Sequence, residues 1–296
     1  MNRKIIGLTL LSLSVLTLTA CGNRSDKSAN KSDIKVAMVT NQGGVDDKSF
    51  NQSAWEGLQK WGKKKGLTKG NGFDYFQSSN ESDHANNLDT AASSGYNLIF
   101  GIGFGLHDTI EKVSENNKDV KYVIVDDIIK GKENVASVTF ADNEAAYLAG
   151  IAAAKGKTIA ATQYATGVDV IYQAAGGTGA GIFSEAKTEN ETRKESNKVW
   201  VIGVDRDQSQ EGNYVSKDGK KANFVLASTI KEVGKSLQSV AELTEKKQYP
   251  GGKVTVFGLK DSGVDIKEHQ LSSEGSVAVK KAKEDIVSGK IQVPMK

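Results

Sequence analysis

"IKVAMVTNQGGVDDKSFNQSAWEGLQ", residues 34–59, decides the fold. Ile34 to Val39 is a short apolar run, Gly43 and Gly44 turn the chain, and from Ser53 to Lys65 apolar residues recur at three- and four-residue spacing. That is the pattern of a strand followed by an amphipathic helix. The alternation repeats outward. Strand-like runs occur at Phe73–Phe76, Leu98–Ile102, Lys121–Val125 and Val135–Phe140, and helical patterns at Ser82–Ser93, Leu106–Asn116 and Asn143–Lys155. Repeated βαβ units predict an α/β fold with parallel sheets flanked by helices, and ligands in such folds bind beyond the carboxyl ends of the strands.

The N-terminus predicts where the chain works. Arg3 and Lys4 precede an apolar stretch from Ile5 to Leu18, which ends in Leu18-Thr19-Ala20-Cys21-Gly22. This reads as a secretion signal, too short to span a bilayer. Its last residues resemble the bacterial lipobox, which implies lipidation of Cys21 and attachment to the membrane through that anchor. Cys21 is the only cysteine, so no internal disulfide or cysteine-based metal site can form. Residues 22–33 are polar and read as a flexible tether. The expected organisation is a signal peptide at 1–20, a tether at 21–33, an N-terminal α/β lobe at 34–155 and a C-terminal α/β lobe at 156–296. The whole chain carries 39 Lys+Arg and 36 Asp+Glu; without residues 1–20, which hold two basic side chains, the balance is 37 against 36. There is no basic excess to attract nucleic acid.

The strand ends hold the candidate site. After the first strand come Asp46, Asp47, Phe50 and Asn51; after the third, Gly101 to Gly105 with Phe104; after the fourth, Asp126 and Asp127. A second set of strands, Gly167–Tyr172, Trp200–Val204 and Phe224–Ala227, leads into Gly176-Gly177, into Asp205 and, through Ser228, to Lys231. Glycines that allow close backbone approach, together with side chains that hydrogen-bond or stack, suit one ligand site divided between two lobes. Plainer readings stand beside this one: Asp46 or Asp47 can cap the following helix, and Phe50 and Phe104 can be core residues. Gly176 to Gly179 lacks the Gly-Lys-Ser/Thr ending of a triphosphate loop. His84, His107 and His269 have no metal-ligand spacing, and neither a Gly-x-Ser-x-Gly motif nor a cysteine nucleophile is available, so no metal and no enzyme activity is expected.

The lipobox, VTNQGGVDDKSFNQSAWEGL, NLIFGIGFG, YVIVDD, VTFADNEAAYLAGIAAAK, VDVIYQAAGGTGAGIF, VWVIGVDRDQ and ASTIKEVG together resemble the basic membrane protein family, in order from Leu18 to the end of the chain. The resemblance implies a two-lobed, type I periplasmic-binding-protein-like fold and a lipid-anchored, extracytoplasmic substrate-binding component of an ABC importer. It further implies a purine nucleoside as ligand, an ABC permease as partner and no cofactor. By the same resemblance Asp46 and Asp47 offer acceptors to the base, Phe50 or Phe104 stacks on it, and Asp127 or Asp126 stands at the rim. Asp205 takes the ribose hydroxyls, Gly176 and Gly177 admit the sugar, and Lys231 completes the polar set. A carboxylate suits a vicinal diol because it only accepts hydrogen bonds while the diol can donate two.

One departure from the family pattern stands out. Lys155 runs directly into Gly156-Lys157-Thr158, whose continuation to Ala165 is itself helical, where a strand, a glycine turn and a helix are expected. A unit of about 30 residues or more is therefore absent near Lys155/Gly156. The second lobe is then expected to be incomplete, with a three- or four-stranded sheet that could include Lys253–Gly258. Farther on, Lys187–Lys198 reads as an exposed charged segment, Asn213–Ala222 as a hairpin or loop, and Ser276–Ser288 as a helix stopped by Gly289. Two alternatives follow: a deleted variant that no longer binds ligand and persists as a surface lipoprotein or antigen, and a glycosidase or nucleosidase using strand-end carboxylates.

Overall fold

The computed structural model describes residues 34–155 and 169–295. The signal sequence, Cys21, the tether and the helical continuation expected at Gly156–Ala165 lie outside the described residues. In the first half, β1 (Val36–Thr40) leads through the glycine turn into α1 (Phe50–Lys64), followed by β2 (Thr68–Lys69), β3 (Gly72–Phe76), α2 (Asp83–Ser93), β4 (Leu98–Ile102), α3 (His107–Asn116), β5 (Lys121–Val125), β6 (Val135–Phe140) and α4 (Asp142–Lys155). The second half contains β7 (Val170–Tyr172), α5 (Gly179–Glu191), β8 (Trp200–Gly203), β9 (Asn213–Val215), β10 (Lys221–Asn223), β11 (Val225–Lys231), α6 (Val233–Glu245), β12 (Val254–Phe257), β13 (Val264–Glu268) and α7 (Ser273–Val287).

The first sheet is parallel throughout, with strand order β12-β6-β5-β4-β1-β3-β2. Its central strands are buried on both faces, which is why they read as continuous apolar runs. Along β1 the side chains alternate between two cores. Val36 and Met38 pack with Leu58 and Trp61 of α1 and Leu237 of α6, whereas Ala37 and Val39 pack with Leu88 of α2 and Ile110 of α3. The second sheet has the order β13-β11-β8-β7, with only β13 antiparallel. Phe183 of α5 and Tyr214 of the β9–β10 hairpin cover one face, and Ala149, Ala152 and Val279, from α4 and α7, cover the other.

Lys253–Gly258 does not join the second sheet. As β12 it pairs with β6 at the edge of the first sheet, where Phe257 meets Phe140 at 5.9 Å between ring centroids. The second sheet instead takes β13, which carries the VDIKE segment, as its fourth strand. The chain therefore returns to the first sheet after β11. On the way back α6 packs on α1 at a pair of glycines: a Cβ on Gly57 would lie 2.1 Å from the Gly234 Cα. Only residues without side chains let these two helices approach so closely. Among the described residues no helix is long and apolar enough to cross a membrane.

Candidate functional site

The carboxyl ends of both sheets face one cleft of about 940 Å³, near the upper end of the ~300–1,000 Å³ typical of ligand sites. From the first sheet, Asn41, Gln42, Asp47, Phe50 and Asn51 follow β1, Gly103 and Phe104 follow β4, and Asp126 follows β5; Asp142 and Asn143 open α4. From the second, Tyr172 ends β7, Gly176 and Gly177 follow it, Asp205 follows β8, and Thr229 and Lys231 end β11.

Asp47 holds the start of α1. Its Oδ1 accepts from the Ser49 and Gln52 backbone N–H groups at 2.9 and 3.0 Å, and its Oδ2 from that of Asn51 at 3.0 Å. These donors are among those a helix leaves without internal partners, so Asp47 is a cap and a cleft residue at once. Asn51 is buried, and its Nδ2 donates to the Gln42 carbonyl at 2.9 Å. Phe104 is 68% exposed, an apolar face turned to solvent at the cleft.

Asp126 and Asp205 are a matched pair. Each lies at or just past the end of a parallel strand, and each adopts a left-handed backbone, with φ of 71° and 68°. Non-glycine residues rarely take that conformation, Asp being one of the more tolerant, and it concentrates at functional sites. Lys231 reaches across from the second sheet, its side chain only 12% exposed. Its Nζ donates to Asp126 at 3.0 and 3.2 Å and to Asp142 at 2.9 Å. The ammonium also lies 5.4 Å from the ring centroids of both Phe50 and Phe140. Burial alone would lower the Lys231 pKa, but the Asp126, Asp142 and Asp205 carboxylates outweigh it and hold the amine above its ordinary value. Asp205 is 6% exposed and accepts a hydrogen bond from the Ser49 hydroxyl of the opposite lobe. Burial pushes its carboxyl up, Lys231 and Ser49 oppose that shift, and Asp126 and Asp47 add to it. Burial likewise raises Asp142 against the pull of Lys231.

Two candidates from the sequence stand apart from this lining. Asp46 is exposed, its Oδ1 lying only 2.4 Å from where a Cβ on Gly44 would be. Asp127 turns away toward α3, pairing with His107 Nδ1 at 2.7 Å and accepting from the Ile128 N–H at 2.7 Å. The left-handed turn at Asp126 takes that residue, and not its neighbour, to Lys231. Asp142, Tyr172 and Thr229 were not singled out by the sequence. Tyr172 Oη lies 3.1 Å from Thr229 Oγ1, joining β7 to β11 across the floor of the cleft.

One rim of the cleft is bridged. Lys48 pairs with Glu211 at 2.7 Å, Arg206 with Glu56 at 3.3 Å, and Gln208 Nε2 donates to the Lys48 carbonyl at 3.0 Å. The three histidines are engaged separately: His84 with the Asn41 carbonyl, His107 with Asp127, and His269 with Asp207 and Ser228. Among the described residues no group of three or more potential ligands could hold a metal ion.

Two α/β sheets whose parallel strand ends face across a polar cleft form a two-lobed, periplasmic-binding-protein-like fold. The chain belongs to the Bmp family, described as ABC transporter substrate-binding protein PnrA-like, whose pattern it matches over residues 34–156 and 153–296. It is 44% identical to the ABC transporter nucleoside-binding protein BmpA of Lactococcus lactis subsp. cremoris, covering all of both chains, and 28% identical to basic membrane protein B of Borreliella burgdorferi, over 85% of this chain and 86% of that one. An ABC transporter solute-binding protein from Aeropyrum pernix has the same fold, with a TM-score of 0.71 over 89% of this chain and 94% of that one at 20% identity. The lactococcal alignment runs over 351 positions against the 296 residues of this chain, a surplus of 55. The family match breaks at 153–156, where the sequence departs from the family pattern. None of these findings supports a chain without a ligand-binding role.

Proposed function

We propose that this chain is lipid-anchored through Cys21 and binds purine nucleosides for import by an ABC permease. The observation that carries the reading is Asp205, a buried carboxylate at a strand end, facing a cleft that Gly176 and Gly177 leave open and that Lys231 crosses. Such a group accepts from a vicinal diol, and ribose supplies one. Phe50 and Phe104 offer faces to a base, a contact worth about 1–3 kcal/mol per stacked base. Asp47 already accepts three backbone hydrogen bonds and has one acceptor position left for the ligand, while Asn51 and Asp126 supply polar groups beside it. The nucleoside-binding lactococcal relative supports the same reading. Binding from both lobes favours the closed form, which the permease reads.

The test is thermal unfolding of residues 22–296 with guanosine, adenosine or ribose, in the wild type and in Asp205→Ala. A nucleoside at a hundred times its dissociation constant stabilises the fold by about 2.7 kcal/mol, and the substitution removes that gain. A cooperative transition that no purine nucleoside shifts would sink the reading. The raised Asp205 carboxyl adds a pH signature. Hydroxyl donors need its ionised form, so on acidification affinity is lost beginning above the ordinary carboxylate value of 3.8.

A further inference from the structure

The two sheets share a core of three consecutive parallel strands, β4-β5-β6 in the first and β7-β8-β11 in the second. Beyond β4 the first sheet continues with β1 and β3. Beyond β7, among the described residues, the second sheet has no strand. The break in the family match, at residues 153–156, precedes β7 in the chain.

The consequence is local to the cleft. The segment after β1 contributes Asn41, Gln42, Gly43, Asp47, Phe50 and Asn51 to the wall on its side. A strand in the equivalent place beyond β7 would end at the same cleft and supply the opposing wall. Among the described residues no such strand is present, and in the cleft Phe104 is 68% and Tyr172 37% exposed, while a Cβ on Gly176 would meet nothing within 4 Å. The polar anchors Asp205 and Lys231 lie at the ends of β8 and β11, inward of β7, which is the edge strand among the described residues. Anchoring of the sugar and room for extra bulk therefore do not compete.

We propose that the cleft admits purine nucleosides carrying an aryl-sized apolar group on the base, because among the described residues no strand flanks β7 on its outer side and Phe104 and Tyr172 present exposed aromatic surface to the cleft. This rests on the purine nucleoside reading above. Apolar bulk there would cover Phe104 and Tyr172 from water, which is favourable in proportion to the area removed.

The experiment is calorimetric titration of the mature chain with adenosine, N6-benzyladenosine, 2-anilinoadenosine and 8-benzylaminoadenosine, beside the same series on the lactococcal relative, which retains the extra positions. At least one aryl derivative is expected to bind this chain within about threefold of adenosine, and the relative about tenfold or more weaker than adenosine, the scale on which a closed pocket rejects added bulk. Adenosine binding with rejection of all three derivatives by tenfold or more would overturn this inference alone, as would equal tolerance in the relative. A folded chain that binds none of the four would overturn the purine nucleoside reading and this inference with it.

Discussion

β4 and β7 hold equivalent places in their sheets, yet β4 has β1 and β5 on its two sides and is buried along its whole length, whereas β7, among the described residues, is bonded only to β8 and exposes Ile171 and Tyr172. The strands that lead to the polar site groups, β5, β8 and β11, are interior in both sheets. Among the described residues the second sheet has one flank fewer and keeps its site-bearing centre, so the polar half of a divided site can persist where the enclosing half does not. Edge strands with unpaired N–H and C=O groups are a liability that proteins ordinarily cover.

Native-state hydrogen exchange would expose the largest difference between these regions. Amides of β4 should open only with the whole domain, at a free energy of about 5 kcal/mol or more. Those of β7 that do not point to β8 should exchange with little opening cost. A gap of about three orders of magnitude in protection is expected, and equal protection in β4 and β7 would mean that something covers the edge.

A second measurement tests whether the two sheets stand independently. Lys231 belongs to the second sheet, but its partners Asp126 and Asp142 belong to the first lobe. Lys231→Met removes the cation and leaves Asp126, Asp142 and Asp205 to repel one another. Breaking a buried ion pair by removing one partner costs about 3–5 kcal/mol; because the Asp142 side chain is 55% exposed, the lower end is expected in denaturant unfolding. The loss should appear in probes of both sheets. A loss confined to β7, β8 and β11 would show that they fold as separate units.

The same contrast sets how much was legible in the sequence. The fold of the first half is written in local periodicity: each βα unit announces itself, and α1 differs from the expected Ser53–Lys65 only because Asp47 caps the chain early enough to start it at Phe50. The strand ends likewise mark Phe104, Gly176, Gly177, Asp205 and Lys231 as cleft candidates. Asp142 was hidden because it reads as the ordinary acidic first turn of a helix, and its partner is 89 residues away. The choice between Asp126 and Asp127 turns on a backbone angle, but a signal was present: YVIVDD and WVIGVDRD both place an Asp soon after an apolar strand, and the first Asp of each carries the left-handed turn. The assignment of β12 could not be read locally, since an alternating KVTVFG segment fits the edge of either sheet.

The smallest effect concerns the bridged rim, which joins the loop after β1 to the segment after β8. Lys48 is 58% exposed, so its pair with Glu211 is screened by water and salt. Such pairs are worth about 0–1 kcal/mol, and a double-mutant cycle of Lys48→Ala and Glu211→Ala should return a coupling in that range, shrinking at high salt. The value matters because elsewhere in the cleft Phe104 stays exposed. If the coupling is near zero, the Arg206–Glu56 pair, Ser49 and Gln208 carry the connection at this rim. Ser49→Ala, which removes the hydroxyl donor from buried Asp205, should then cost more than the whole Lys48–Glu211 pair. The reverse order would place the connection between the lobes on the surface charges and leave Asp205 free to serve the ligand.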